Sequence, residues 1–198
     1  MDEAASRERD HVRLLLPPPI ERQRPLACAA KLTTAEFQAP SGLTTRDLRG
    51  TLVHTLDVEG SWRARLQGRP EEVWKKELPL SDYPTAKALI DHWQRDEREM
   101  RAWLASLDDE KLAQIHDLEP GSPPKERFPL WYYVLHIHTH TQQQLGDAAV
   151  LLTRMRQSPG NIEFLEYADF IHREGTPPDG HSRVRLGRQH LGVDRKGT

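Results

Sequence analysis

The sequence predicts an all-α protein whose helices pack as a bundle. Three long segments carry apolar residues at the spacing of three or four that amphipathic helices show. Short connections with proline or glycine separate these segments, and little of the chain alternates as strands do. A chain of 198 residues can bury one substantial core. In a single bundle, a functional site is built from side chains on facing helices.

The N-terminal region is predicted to be the least regular part of the chain. Residues 1–23 are charged or interrupted by the run Pro17-Pro18-Pro19, so we expect an extended or disordered segment. Pro25 suits the first position of a short helix that continues to Leu32. A loop at Ala39–Gly42 follows, so the first helical element is predicted to be short.

Three long helices are predicted after that loop. The first covers Thr45–Gln67, the second begins near Thr85 and ends near Ser106, and the third covers Leu130–Arg156 behind Pro129. Residues 112–129 contain two short alternating pieces around a proline–glycine turn, which predicts a small hairpin before the third helix.

The C-terminal region is predicted to contain one more short helix and a tail. Ser158-Pro159-Gly160 ends the third long helix, and Ile162–His172 has the pattern of a shorter amphipathic helix. Residues 173–198 are rich in glycine, proline and arginine without periodicity, which predicts disorder.

Charge and composition argue against several classes of protein. With 28 basic and 30 acidic residues, the net charge of −2 provides no field that would attract nucleic acid or anionic lipid. The apolar runs are far shorter than the roughly 18 residues that a membrane span needs. Cys28 is the only cysteine, and the first residues lack a signal-peptide pattern, so we expect a cytoplasmic protein.

The best candidates for chemistry are histidines on the third long helix. His136 and His140 are four residues apart and share a face, which Gln144 and then Asp147 continue. His138 points about 160° away from His140, towards the apolar stripe, so it is predicted to pack in the core.

Two histidines four residues apart can bind one divalent metal ion, but two ligands seldom suffice. A third would have to come from another helix, and His54 lies among apolar residues of the first long helix. The alternative is that all three are ordinary hydrogen-bonded histidines. The residues themselves leave both interpretations open.

Several segments resemble the DinB-like superfamily of damage-inducible helical bundles. Asp47–Leu56, followed by Glu59 and Trp62, is similar to the second helix of that family, and Pro129–Leu152 is similar to its last bundle helix. Ser158–Leu165 matches the turn and closing helix that come next. The resemblance covers about residues 24–172. It implies an up-down-type four-helix bundle, with a short or irregular first helix here, and a possible homodimer.

The resemblance also implies a metal site. The family ligands fall on His54, His140 and Gln144, where Gln144 stands in place of the usual third histidine. His136 corresponds to a histidine one turn before the ligand pair, and Thr139 replaces a usual asparagine. An amide oxygen is a weaker donor than imidazole to zinc or nickel, the divalent ions expected here, so binding should be weakened unless His136 completes the ligand set.

The family includes thiol S-transferases and a mycothiol-dependent maleylpyruvate isomerase. The resemblance therefore implies a metal-dependent thiol transferase or related hydrolase acting on a small-molecule thiol or electrophile. Asp147, Glu59 or His136 would then orient the ligands. The alternative is a bundle that has lost its catalytic metal and serves as a small-molecule-binding or interaction protein. No role in nucleic-acid binding is expected, because the basic tail also contains acidic residues and lacks interleaved aromatics.

Overall fold

The computed structural model describes residues 19–117, 127–163 and 165, and this part of the chain is mostly helical. Its α-helices are α1 (Pro19–Ala29), α2 (Thr34–Phe37), α3 (Leu48–Leu66), α4 (Glu71–Trp74), α5 (Ala86–Ala105), α6 (Asp109–Ala113) and α7 (Leu130–Arg154), and a 3₁₀ turn covers Leu80–Asp82. The all-α prediction is confirmed. None of these helices combines the length and the apolar character that crossing a bilayer requires.

The first helix, α1, begins earlier than the sequence predicts. It starts at Pro19 and ends at Ala29, so Pro25 lies inside it instead of opening it. A proline in the first turn costs nothing, because the N–H groups there have no partner within the helix. The interior Pro25 is tolerated because α1 buries Leu26 and Cys28 in the core. The expected extended segment therefore ends before Pro19, and residues 1–18 lie outside the described part.

The three long helices match their predicted positions, and side-chain caps explain where two of them begin. The Asp47 carboxylate accepts a hydrogen bond from the Gly50 amide at 2.7 Å, and the Thr85 hydroxyl accepts one from the Ala88 amide at 3.2 Å. Both bonds satisfy backbone donors that the first turn of a helix leaves unpaired. The four- and five-residue helices were not predicted, because so short a segment shows no periodic pattern.

The small hairpin before the last long helix is present as an antiparallel pair. Strand β1 (Ile115–His116) pairs with β2 (Phe128–Pro129), with Ile115 opposite Pro129 and His116 opposite Phe128. The predicted helix Ile162–His172 lies mostly outside the described residues, and the predicted disordered tail lies wholly outside them.

The core consists of two apolar clusters with a polar layer between them. The larger cluster includes Leu52, Leu56, Trp93, Leu145 and Leu152, and the smaller one includes Leu66, Met100, Leu104, Val134 and Ile137. The buried polar residues that lie between them in the sequences of the three helices are Glu59 and Arg63 on α3, Asp96 on α5, and Thr141 and Gln144 on α7. Each long helix therefore changes from one cluster to the other at this layer.

Glu59 is the central group of the polar layer. It is 1% exposed, and its carboxylate accepts hydrogen bonds from the Trp93 indole N–H at 3.0 Å and from the Thr141 hydroxyl at 2.6 Å. One side chain of α3 is thereby bonded to both α5 and α7. Next to it, Arg63 pairs with the Asp96 carboxylate at 2.5 Å and donates to the Asp96 carbonyl at 2.7 Å.

These contacts also fix the directions of the helices. From Glu59 to Arg63 on α3, the partners on α5 advance from Trp93 to Asp96, so α3 and α5 run parallel. On α7, the partner of Glu59 is Thr141 and that of Trp62 is the earlier residue His136, so α3 and α7 are antiparallel. In an up-down order each helix runs opposite to the one before it, so the parallel pair α3 and α5 departs from the order that the resemblance implies. Residues 67–85 must therefore return along the bundle. There, the Leu78 amide donates to the Asp57 carboxylate at 3.0 Å.

Two residues of α7 differ in burial from the prediction. Trp131 lies three residues before Val134, at the spacing of the apolar stripe, but it is 41% exposed. His138, predicted to pack in the core, is only half-buried. At these positions the buried face of α7 passes instead through Val134, Ile137 and Thr141, because that face follows the contacts with α3.

Replacing Glu59 by Gln tests the polar layer. One of the two acceptor oxygens becomes an N–H₂ donor that faces another donor, so we expect the free energy of unfolding to fall by about 2 kcal/mol. Urea unfolding followed by circular dichroism measures the loss. The matched control is Glu97→Gln, because Glu97 bonds only to Arg101 on the same helix among the contacts described, and it should cost about 0.5 kcal/mol or less. Equal losses in the two variants would contradict a special role for Glu59.

A second polar contact attaches the chain before α5 to that helix. The Tyr83 hydroxyl lies 2.7 Å from Nδ1 of His92, and the two rings stack with centroids 5.8 Å apart. Burial lowers the pKa of His92 below its usual 6.5, and the nearby Arg95 cation lowers it further. The folded protein therefore favours neutral His92.

Since the folded state binds this proton less readily than the unfolded state, His92 contributes stability that is complete above about pH 6.5 and is lost as the pH falls below it. We expect the wild type to lose more stability than His92→Gln between about pH 7.5 and about pH 5. Urea unfolding of both proteins at several pH values measures the difference. Parallel pH profiles would show that His92 is not protonated more easily on unfolding.

Candidate metal centre

The structure brings His54 and His140 together from two helices. Their positions differ by 86 in the sequence, yet the two imidazole centroids are 5.3 Å apart and the ring planes are inclined by 71°. The antiparallel packing of α3 on α7 creates this contact. Two of the three residues on which the resemblance places the family ligands therefore lie close together across the bundle.

The separation of the rings fits two ligands of one metal ion. Imidazole nitrogens bind zinc at about 2.0–2.1 Å, and a tetrahedral angle between two such ligands places their ring centroids about 5 Å apart. The observed 5.3 Å lies close to that value. His136 fits less well, since its centroid is 6.2 Å from that of His140, about 1 Å more than a tetrahedral pair needs.

His140 has two properties that suit a metal ligand, a neutral ring and a buried nitrogen without a hydrogen-bond partner in the described structure. Burial lowers its pKa to about 4, and the neighbouring His54, His136 and Arg46 contribute in the same direction. The ring is therefore neutral at physiological pH, as metal binding requires. Its Nδ1 is buried without a hydrogen-bond partner in the described structure, which is costly unless a ligand satisfies it.

Gln144 is the remaining predicted ligand. It is only 8% exposed and lies one helical turn after His140 on the same strip of α7. Within residues 19–117, 127–163 and 165, no three side chains of His, Cys, Asp and Glu converge to form a metal site. A third protein ligand from the described residues would therefore have to be an amide or another weaker donor, and Gln144 is the one already placed beside His140.

His136 belongs to an aromatic wall beside the histidine pair. Its ring lies edge-on to the Trp62 ring with centroids 5.1 Å apart, and Tyr133 stacks on Trp62 at 5.7 Å. The Arg65 guanidinium lies 5.6 Å from the Trp62 centroid and 4.7 Å from that of Trp74. This wall was not predicted, because aromatic spacing within one helix does not show which rings meet between helices.

Glu59 and Asp147, which the resemblance suggests as groups that orient the metal ligands, make no described contact with His54 or His140. The Glu59 carboxylate bonds to Trp93 and Thr141, so it holds the helices in register. Asp147 is half-buried and forms no hydrogen bond or ion pair to either histidine in the described structure. Thr141, the partner of Glu59, directly follows His140 and so links the polar layer to the candidate site.

Arg46 is a charged residue near the site that sequence analysis missed. It precedes α3, and its side chain passes over Gly50: a Cβ on Gly50 would lie 3.4 Å from Cβ and 3.9 Å from Cδ of Arg46. Gly50 is one turn before His54, so Arg46 extends along the strip that carries the histidine. Burial lowers the pKa of His54, and the Arg46 cation lowers it further, whereas Asp57 and Glu77 act in the opposite direction.

The comparison with protein families agrees with this architecture. The DinB family model matches residues 20–175, which is most of the chain. The chain belongs to the DinB family. A search of curated proteins found no match. The match includes all the long helices of this DinB chain and every residue of the candidate centre, so the resemblance seen in the sequence is confirmed at the level of the family.

Proposed function

We propose that this DinB-family chain binds a divalent metal ion, zinc or nickel, through His54, His140 and Gln144. The observation that carries the proposal is the 5.3 Å separation of the two imidazole rings. The two histidines come from antiparallel helices at a separation that suits a shared ligand, and Nδ1 of His140, which has no hydrogen-bond partner among the described residues, is available as a donor atom. Gln144 adds an oxygen donor from the same face of α7.

We further propose that the bound ion serves thiol chemistry, as a thiol S-transferase or a related hydrolase. When bound, a divalent ion depresses the pKa of a coordinated thiol and so supplies a thiolate nucleophile. The chain's own residues shape the space beside the ion and hold the two helices that carry the ligands in register. Trp62 and His136 form one wall beside the histidine pair, and Glu59 keeps α3 and α7 aligned.

The competing function is a metal-free bundle that binds a small molecule or a partner. The observation that favours it is Gln144, since an amide oxygen is a weaker donor than the imidazole expected at this position. Gln144 is buried, so its amide could form hydrogen bonds to a small ligand held between the helices. Metal content separates the two functions.

Metal binding is tested first on protein purified without a histidine tag. Elemental analysis should find about one zinc or nickel ion per chain, and calorimetric titration of the metal-free protein should give the same stoichiometry. His140→Gln should weaken binding by about tenfold or more, because it removes one of two strong nitrogen donors. Wild-type protein that takes up neither ion would favour the metal-free function.

The altered ligand position is tested by Gln144→His. Residue 144 lies one turn beyond His140 on the same strip, so an imidazole there should raise the affinity for zinc by about tenfold or more. The matched control is His138→Gln, because residue 138 points about 160° away from His140 and should not alter the affinity. The calorimetric titrations measure all three proteins. Equal affinities for wild type and Gln144→His would remove residue 144 from the ligand set and leave His136 as the alternative.

A further inference from the structure

The proposed ligand set carries no negative charge. His54 and His140 are neutral imidazoles and Gln144 is a neutral amide, so a divalent ion bound there would keep its full charge. The Arg46 cation acts on both histidines, and the two carboxylates that act on His54, those of Asp57 and Glu77, are not among the proposed ligands. A site of this kind favours an anionic molecule at any position that the protein leaves open.

Arg46 is placed to receive such an anion. Because Gly50 has no side chain, the Arg46 side chain packs against the face of α3 that carries Gly50 and, one turn later, His54. The hydroxyl of Thr44 donates to the Arg46 carbonyl at 2.6 Å and holds the backbone where the side chain begins. A side chain at Gly50 would meet the Asp47 carboxylate at 3.1 Å as well as Arg46, so the glycine keeps this approach open.

Within the described residues, the guanidinium of Arg46 forms no ion pair with a carboxylate. Among the ion pairs of the described residues, those of Arg63, Arg101 and Arg127 use other acidic groups, and Arg46 takes part in none. Asp57 and Glu77 act on His54, yet neither forms an ion pair with Arg46. Arg46 is exposed, so its five N–H donors remain available to a carboxylate from solution.

We propose that Arg46 is a specificity-determining residue and that the small molecule bound beside His54 and His140 carries a carboxylate. The inference rests on the proposed function, since it assigns the substrate class of the same site. One end of the molecule, the thiol in the proposed chemistry, would lie at the histidine pair. The carboxylate at its other end would accept charge-assisted hydrogen bonds from Arg46.

The test uses two thiols that differ only in the carboxylate. N-acetylcysteine carries it, and N-acetylcysteamine has a hydrogen in its place. Both are titrated into cobalt(II)-loaded protein, and the thiolate-to-cobalt absorption reports binding. Wild type should bind N-acetylcysteine about fivefold more tightly, the factor expected of one charge-assisted hydrogen bond at an exposed arginine.

Substitutions assign that preference to one residue. Arg46→Gln should bind the two thiols equally, and Arg46→Lys should retain part of the preference because it keeps the charge but loses the fork of donors. The control is Arg95→Gln, which removes an exposed arginine of α5 that bonds to the Asp91 carbonyl, and it should keep the wild-type preference. Equal affinities in wild type, or a preference that survives in Arg46→Gln, would overturn the inference.

Failure of the metal proposal gives a different result. If the protein takes up no cobalt, the same two thiols are titrated into the metal-free protein, and the histidine ring protons are followed by nuclear magnetic resonance. Shifts that need the carboxylate and disappear in Arg46→Gln would support the anion site without a metal. No difference between the two thiols would reject it independently of the metal.

Discussion

The buried carboxylate of Glu59 is the interaction on which the arrangement of the long helices depends. A carboxylate removed from water is very costly unless hydrogen bonds replace its hydration. Here the replacement donors are Trp93 of α5 and Thr141 of α7. A shift of either helix by one residue would break its bond, so the register of three helices is fixed at one point. Apolar packing alone tolerates such shifts more readily, because it has no direction.

The geometry of the candidate metal centre depends on that register. His140 directly precedes Thr141, and His54 lies on α3 before Glu59, so the bond between Glu59 and Thr141 also sets how far the two imidazoles are from each other. Functional residues placed by a neighbouring buried contact keep their separation without a bond of their own. The site therefore relies on helices more than on loops, which suits a metal centre because ligand distances leave little tolerance.

The sequence predicts the elements of this fold better than their arrangement. Periodicity identified α3, α5 and α7 to within a few residues, since each has an apolar face of several turns. It did not show that α3 and α5 run parallel, because the returning segment 67–85 has no regular pattern. The meeting of His54 and His140 followed from family resemblance, whereas the bonds of Glu59 and the position of Arg46 depend on contacts between distant residues that no spacing reveals.

The long separation between partners has a consequence for how the chain folds. Glu59 and Trp93 are 34 positions apart, but Glu59 and Thr141 are 82 apart. Because loop-closure entropy rises with the length enclosed, contacts of α3 with α5 can form while α7 is still unattached. During translation α7 leaves the ribosome after the other long helices, and His54 cannot meet His140 until then. The histidine pair is therefore a product of the last docking step, and a chain interrupted before α7 would contain most of its helices but no site.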